Sequence, residues 1–172
     1  MEHTSRVLIM TGPPGAGKNT VANGIAEHTT RLAVIDVDVV RWMIVQPHAA
    51  PWDGEEGLRQ QKLGVRNTCQ LATTFLNEGF DTLILDVLTN ATATMYREAL
   101  SSFILRIVLL IPSLEEVLHR AQFRPARLTL DEIQSSYEGQ RELSVFDVKI
   151  DNTSISADEV AADLMAFFKS DA

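Results

Sequence analysis

The chain has 172 residues, 45% apolar and 22% charged, which suits one domain over 1–172 with a sizeable core and excludes wholesale disorder. Lys and Arg number 15 against 23 Asp and Glu, and the resulting charge of −8 argues against non-specific binding to nucleic acid or an anionic membrane. The single cysteine, Cys69, excludes an intramolecular disulfide and any thiolate metal cluster, and no apolar run is long enough for a signal-peptide core or a membrane span. The expected compartment is the cytoplasm.

Arg6-Val-Leu-Ile-Met10 is a continuous apolar run ending at Thr11-Gly12, the pattern of a buried parallel strand. A glycine-rich turn follows, then a helix over about Lys18–His28. Leu32 to Asp38 reads as a second strand with two acids at alternate positions, followed by a helix from Val39 to Gln46 that Pro47 stops. Leu58, Val65, Cys69, Ala72 and Leu76 keep helical spacing, with Gly79 at the C-terminal cap. Thr82–Val87 is a third strand, Thr92–Ser101 a helix and Arg106–Ile111 a fourth strand. Ser113-Leu-Glu-Glu116 opens another helix with a capping-box pattern. A basic stretch from Arg120 to Arg127 is broken by Pro125, a helix spans Leu130–Leu143, Asp147–Asn152 is a fifth strand, and Ser156 caps a last helix to about Lys169. Five strands alternating with helices predict an α/β fold, a parallel sheet covered on both faces, whose ligands bind at the carboxyl ends of the strands.

Gly12-Pro13-Pro14-Gly15-Ala16-Gly17-Lys18-Asn19-Thr20 joins the first strand to the first helix. Its spacing is that of a phosphate-binding P-loop, the Walker A pattern. Glycines let backbone N–H groups curl round an anion, the helix N-terminus adds its dipole, and Lys18 supplies a point charge. The residue after the lysine, usually a hydroxylic ligand for magnesium, is Asn19, whose amide oxygen is a poorer ligand unless water intervenes. Thr20 is positioned for an α-phosphate.

On these residues the chain resembles the adenylate-kinase-like P-loop kinases, in particular their small-molecule branch of shikimate and gluconate kinases and chloramphenicol phosphotransferase. The resemblance runs from Arg6 to the last helix. It implies a P-loop NTPase fold with a short lid near residues 120–130, ATP and Mg2+ as cofactors, and a small-molecule hydroxyl as acceptor. It leaves the acceptor and the oligomeric state unnamed.

Asp36 and Asp38, alternating on a strand, would share one face at the crevice. One would accept the hydroxyl proton and the other orient the acceptor or a metal-bound water. Asp38, farther out, is the preferred base; the competing reading is that one of the two caps the next helix. Arg41 would clamp an acidic or phosphorylated acceptor or stand as a surface arginine, and Trp42 is expected in the core. Asp86, ending the third strand, is a candidate magnesium or acceptor contact. Arg59 and Arg66 share a helix face that either lines the acceptor site or is simply solvated. Arg120, Arg124 and then Arg127 are the expected lid arginines, the first two also touching the nucleotide, unless they are a solubilising patch. Asn152 is expected beside the adenine. Cys69 reads as core. The expected function is γ-phosphoryl transfer from ATP to a small-molecule hydroxyl. The alternatives are a nucleoside or nucleotide kinase, and an ATP-binding regulatory module without transfer.

Overall fold

The computed structural model describes residues 4–123 and 128–169. In chain order the elements are β1 (Arg6–Thr11), α1 (Lys18–Glu27), β2 (Leu32–Asp36), α2 (Val37–Trp42), α3 (Gly54–Asn77), β3 (Asp81–Leu85), α4 (Asn90–Ala99), β4 (Ile104–Leu110), α5 (Leu114–Ala121), α6 (Leu130–Arg141), β5 (Val148–Ile150) and α7 (Ala157–Lys169). The strands form one sheet in the order β2-β3-β1-β4-β5, every neighbouring pair parallel. This is the expected P-loop kinase architecture.

β1 lies at the centre and is buried along its whole length, which explains its unbroken apolar run. Alternate side chains feed two cores. Val7 and Ile9 join Ile84, Ile107 and Leu109 against α3, α4 and Leu143. Leu8 and Met10 join Leu83, Leu85, Val108 and Leu110 against α1 and α7. The edge strand β5 is reduced to three residues, shorter than the six-residue run expected.

Two expectations fail together at the end of β2. The strand stops at Asp36 and α2 begins at Val37, two residues earlier than predicted. Asp36 is the N-cap: its Oδ1 accepts from the Asp38 N–H at 3.0 Å. Asp36 and Asp38 therefore do not alternate along a strand. The shifted start turns Val37, Val40 and Arg41 inward and Trp42 outward, so Trp42 is 58% exposed rather than in the core.

Other ends move by a few residues. Gly79, at φ 77°, ends α3 as expected. Ser113 caps α5 by accepting from Glu116 N–H, but the Glu116 carboxylate turns to Arg120 at 2.6 Å, so only half of the capping box forms. Cys69 is buried, and burial, aided by the nearby Asp86 charge, pushes its thiol up to about 11. It stays a thiol at neutral pH and serves as packing. Among the described residues no helix is long and apolar enough to cross a membrane.

Candidate active site

The carboxyl ends of β1, β2 and β3 carry Gly12, Asp36 and Asp86 to one end of the sheet. Gly12 passes so close to β4 that a Cβ there would lie 2.2 Å from the Leu110 carbonyl oxygen. Gly17, at φ 92°, starts α1 from the left-handed region and no side chain caps the helix. The first N–H groups of α1 are thus left to an anion by the chain's own design. The Lys18 ammonium donates to Gly12 O at 2.6 Å and Pro13 O at 3.4 Å, arching over the loop. Asn152, buried, donates from Nδ2 to Ala16 O at 2.8 Å and holds the loop from the β5 side. Its Oδ1 is buried without a partner. Arg120 is drawn to the same place, pairing with Glu116 and donating to Asn152 O at 3.1 Å. The structure thus brings Lys18, Arg120 and Asn152 together around the loop, with Asn152, expected beside the adenine, bonded to the loop carbonyl of Ala16. Arg124 and Arg127 lie outside the described residues.

The acids gather on the other side of the loop. Asp36 is linked to it directly, its Oδ2 accepting from Asn19 Nδ2 at 3.4 Å. Asp38, in the first turn of α2, is largely exposed and pairs with Arg41 at 3.6 Å. Arg41 runs beneath Gly64 of α3, where a Cβ would stand 2.7 Å from Arg41 Cγ. Its Nε is buried and has no hydrogen-bond partner. Asp86 accepts from the Val87 N–H at 2.7 Å through Oδ1 and from the Tyr96 hydroxyl at 3.0 Å through Oδ2. Burial pushes its carboxyl up to about 6; the Asp38 charge adds to this, while the Val87 N–H, the Tyr96 hydroxyl and Arg41 oppose it. Tyr96, fully buried on α4, has its own phenol pushed up by burial and by Asp86. Nothing in the sequence marks Tyr96 as a partner of Asp86, because the contact depends on how α4 packs against β3.

Arg59 and Arg66 are not brought to this cluster. The inward stripe of α3 is Gly57, Gln60, Gly64 and Thr68, and at 100° per residue Arg59 and Arg66 fall on the opposite side. There Arg59, 81% exposed, pairs loosely with Glu56 at 3.8 Å, and both arginines line a shallow groove of about 340 Å³ with Glu55, Leu58 and Lys62.

The donors suit magnesium as a water-rich ion. Asp36 Oδ2 and the Asn19 amide stand together at the mouth of the loop, and Asp86 is near Asp38 and Arg41. Among the described residues no three His, Cys, Asp or Glu converge on a metal position. Mg2+ commonly keeps several waters and takes one or two protein oxygens alongside phosphate oxygens, and Asp36 and Asp86 are the carboxylates at this end of the sheet that could supply them.

Several solved structures share this fold. A tunicamycin resistance protein of Deinococcus radiodurans is 19% identical with TM-score 0.67, over 95% of this chain and 94% of that one. A shikimate kinase from Acinetobacter baumannii, solved with shikimate, is 21% identical with TM-score 0.60, over 96% and 93%. A sugar kinase from Janibacter sp. HTCC2649 is 17% identical with TM-score 0.69, over 95% and 93%. A chain of the Pnkp1/Rnl/Hen1 RNA repair complex also matches, over 82% of this chain and 45% of that one, at 16% identity and TM-score 0.61. No curated protein matches. A family model described as an AAA domain matches residues 7–139, from β1 through the phosphate loop, the acidic cluster and most of α6, and the chain belongs to that family, AAA_33.

Proposed function

We propose that the protein transfers the γ-phosphoryl group of ATP to a hydroxyl of a small molecule. The observation that carries this reading is the Asn19–Asp36 contact, which joins an anion-binding loop to a carboxylate and arginine cluster at the same end of the sheet. The loop N–H groups and Lys18 hold the phosphates, and Arg120 approaches from α5. Asp36, Asn19 and Asp86 are the residues that would hold magnesium through water, and the ion would supply neutralisation of the phosphate charge. Asp38 takes the hydroxyl proton as the acceptor oxygen bonds the γ-phosphorus and the bond to the β-phosphate oxygen breaks, releasing ADP. Arg41, with its buried, unpartnered Nε, steadies the acceptor.

The test is ADP release across hydroxylated antibiotics, sugars and nucleosides, with Asp38→Asn compared against the parent. Asp38→Asn keeps shape and removes the proton acceptor. The expected outcome is unchanged ATP binding by calorimetry and transfer reduced roughly 10²–10⁴-fold. Full transfer by the variant would move the base to Asp36. Tight ATP binding with transfer to no acceptor would favour the regulatory reading.

A further inference from the structure

The segment after Asp38 carries an unusual share of exposed apolar side chains: Val39, Trp42, Met43 and Val45. Trp42 lies four residues after Asp38 on α2, so the two share a helix face one turn apart. One side of the indole is covered. The His48 ring stacks on it with centroids 4.2 Å apart and planes 12° from parallel, and the indole is still 58% exposed.

The stack is supported from below. The buried Gln60 of α3 brackets His48, its Oε1 accepting from Ala49 N–H at 2.9 Å and its Nε2 donating to Pro47 O at 2.7 Å. The loop is seated against α3 so closely that a Cβ at Gly57 would lie 1.9 Å from the Ala50 carbonyl oxygen. A buried glutamine amide that bonds the backbone on both sides of one exposed histidine fixes the chain path that sets its ring against the indole.

Resting on the transfer reading above, we propose that Trp42, backed by His48 and positioned by Gln60, is a stacking platform for a planar ring in the acceptor. The acceptor class is a ring-bearing alcohol, aromatic or heteroaromatic, rather than an aliphatic polyol. A hydroxyl presented to Asp38 puts the body of such a molecule one helical turn away, over the open indole face. Stacking there uses a ring already held in place, so little rotamer freedom is lost on binding.

Calorimetry with ADP and magnesium present tests this on the full chain. The ring-bearing probes are uridine, adenosine and chloramphenicol; the ring-free probes are gluconate, glycerate and xylitol. At least one ring-bearing probe is expected to bind saturably, and Trp42→Ala to weaken it about tenfold or more, with Trp42→Phe restoring most of the loss. Gln60→Leu, which removes the bracket without touching the ring, is expected to weaken the same probe while ADP affinity stays at the parent value. Preference for ring-free probes, saturable binding by no ring-bearing probe, or affinity indifferent to Trp42→Ala overturns the platform. ADP release separates the two readings. A ring-bearing probe that binds through Trp42 without turnover defeats transfer and keeps the platform. Turnover of ring-free alcohols alone defeats the platform and keeps transfer.

Discussion

Lys18 and Asp86 are both charged and partly withdrawn from water, yet they are expected to respond oppositely to neutralisation. Lys18 hydrogen-bonds the loop carbonyls of Gly12 and Pro13, and its stem belongs to neither apolar core. Lys18→Ala is expected to keep the fold and lower transfer by roughly 10²-fold or more, since a positioned charge on the phosphates is lost; thermal melting and ADP release check both halves. Asp86 is instead a burden on the unliganded fold. With its carboxyl raised to about 6 against an ordinary value of about 3.9, the folded form binds the proton more tightly than the unfolded form. Its penalty is absent below about pH 4, grows as pH rises through the window to about 6, and is complete above it. Asp86→Asn, which can still accept from Val87 and donate to the Tyr96 oxygen, should melt higher than the parent at pH 7.5 in EDTA, by at most about 3 kcal/mol. That gain should fade at pH 4. A gain independent of pH would mean that the charge is not its source.

At the scale of elements, Gly64 of α3 makes the space in which Arg41 of α2 reaches the acidic cluster. In Gly64→Ala the new Cβ meets the Arg41 stem, and the displacement of Arg41 should reduce transfer while leaving ATP affinity alone. The stability cost of overpacking, about 1–3 kcal/mol, is offset by about 1 kcal/mol of helix propensity. Calorimetry beside steady-state kinetics separates the two effects. The α2 boundary also shows what the sequence discloses. β1, β3 and β4 are legible because strands buried on both faces need unbroken apolar runs, and the phosphate loop because its backbone path demands glycines at fixed spacing. Val37, Val39 and Val40, by contrast, are β-branched and favour strand locally. The long-range packing of Val37 and Val40 and the Asp36 cap decide for helix. One two-residue error there carries both the misplaced pairing of Asp36 with Asp38 and the misplaced burial of Trp42. The Asp86–Tyr96 contact and the bonds of Gln60 to Pro47 and Ala49 join residues on different elements, by packing that no local pattern encodes.

For the whole molecule, the sheet order divides the work about β1. Its β4 side, with α5 and the Asn152 loop, steadies the phosphate loop, and its β3 side carries β2, α2 and the acids. The family match spans both halves, as does the similarity to kinases with unlike acceptors. A buried polar triad ties the centre to α6: Thr11 Oγ1 donates to Gln140 Oε1 at 2.8 Å and accepts from Leu88 N–H at 2.9 Å, while Gln140 Nε2 donates to Leu88 O at 2.7 Å. The central position of β1 has a consequence for the chain as it is made. β1 leaves the ribosome well before the strands it pairs with, at Thr82–Leu85 and Ile104–Leu109. At about 5–20 residues per second, Val7–Met10 waits roughly 5–20 s before both its edges can be covered. Until then the most apolar segment of the amino-terminal half is an open template for other nascent chains. Translation in vitro of a chain stopped after Phe103 should therefore yield product that pellets unless a chaperone is supplied, while the full chain stays in the supernatant. A soluble, protease-resistant 1–103 fragment would show that β1 can be sheltered before β4 is synthesised.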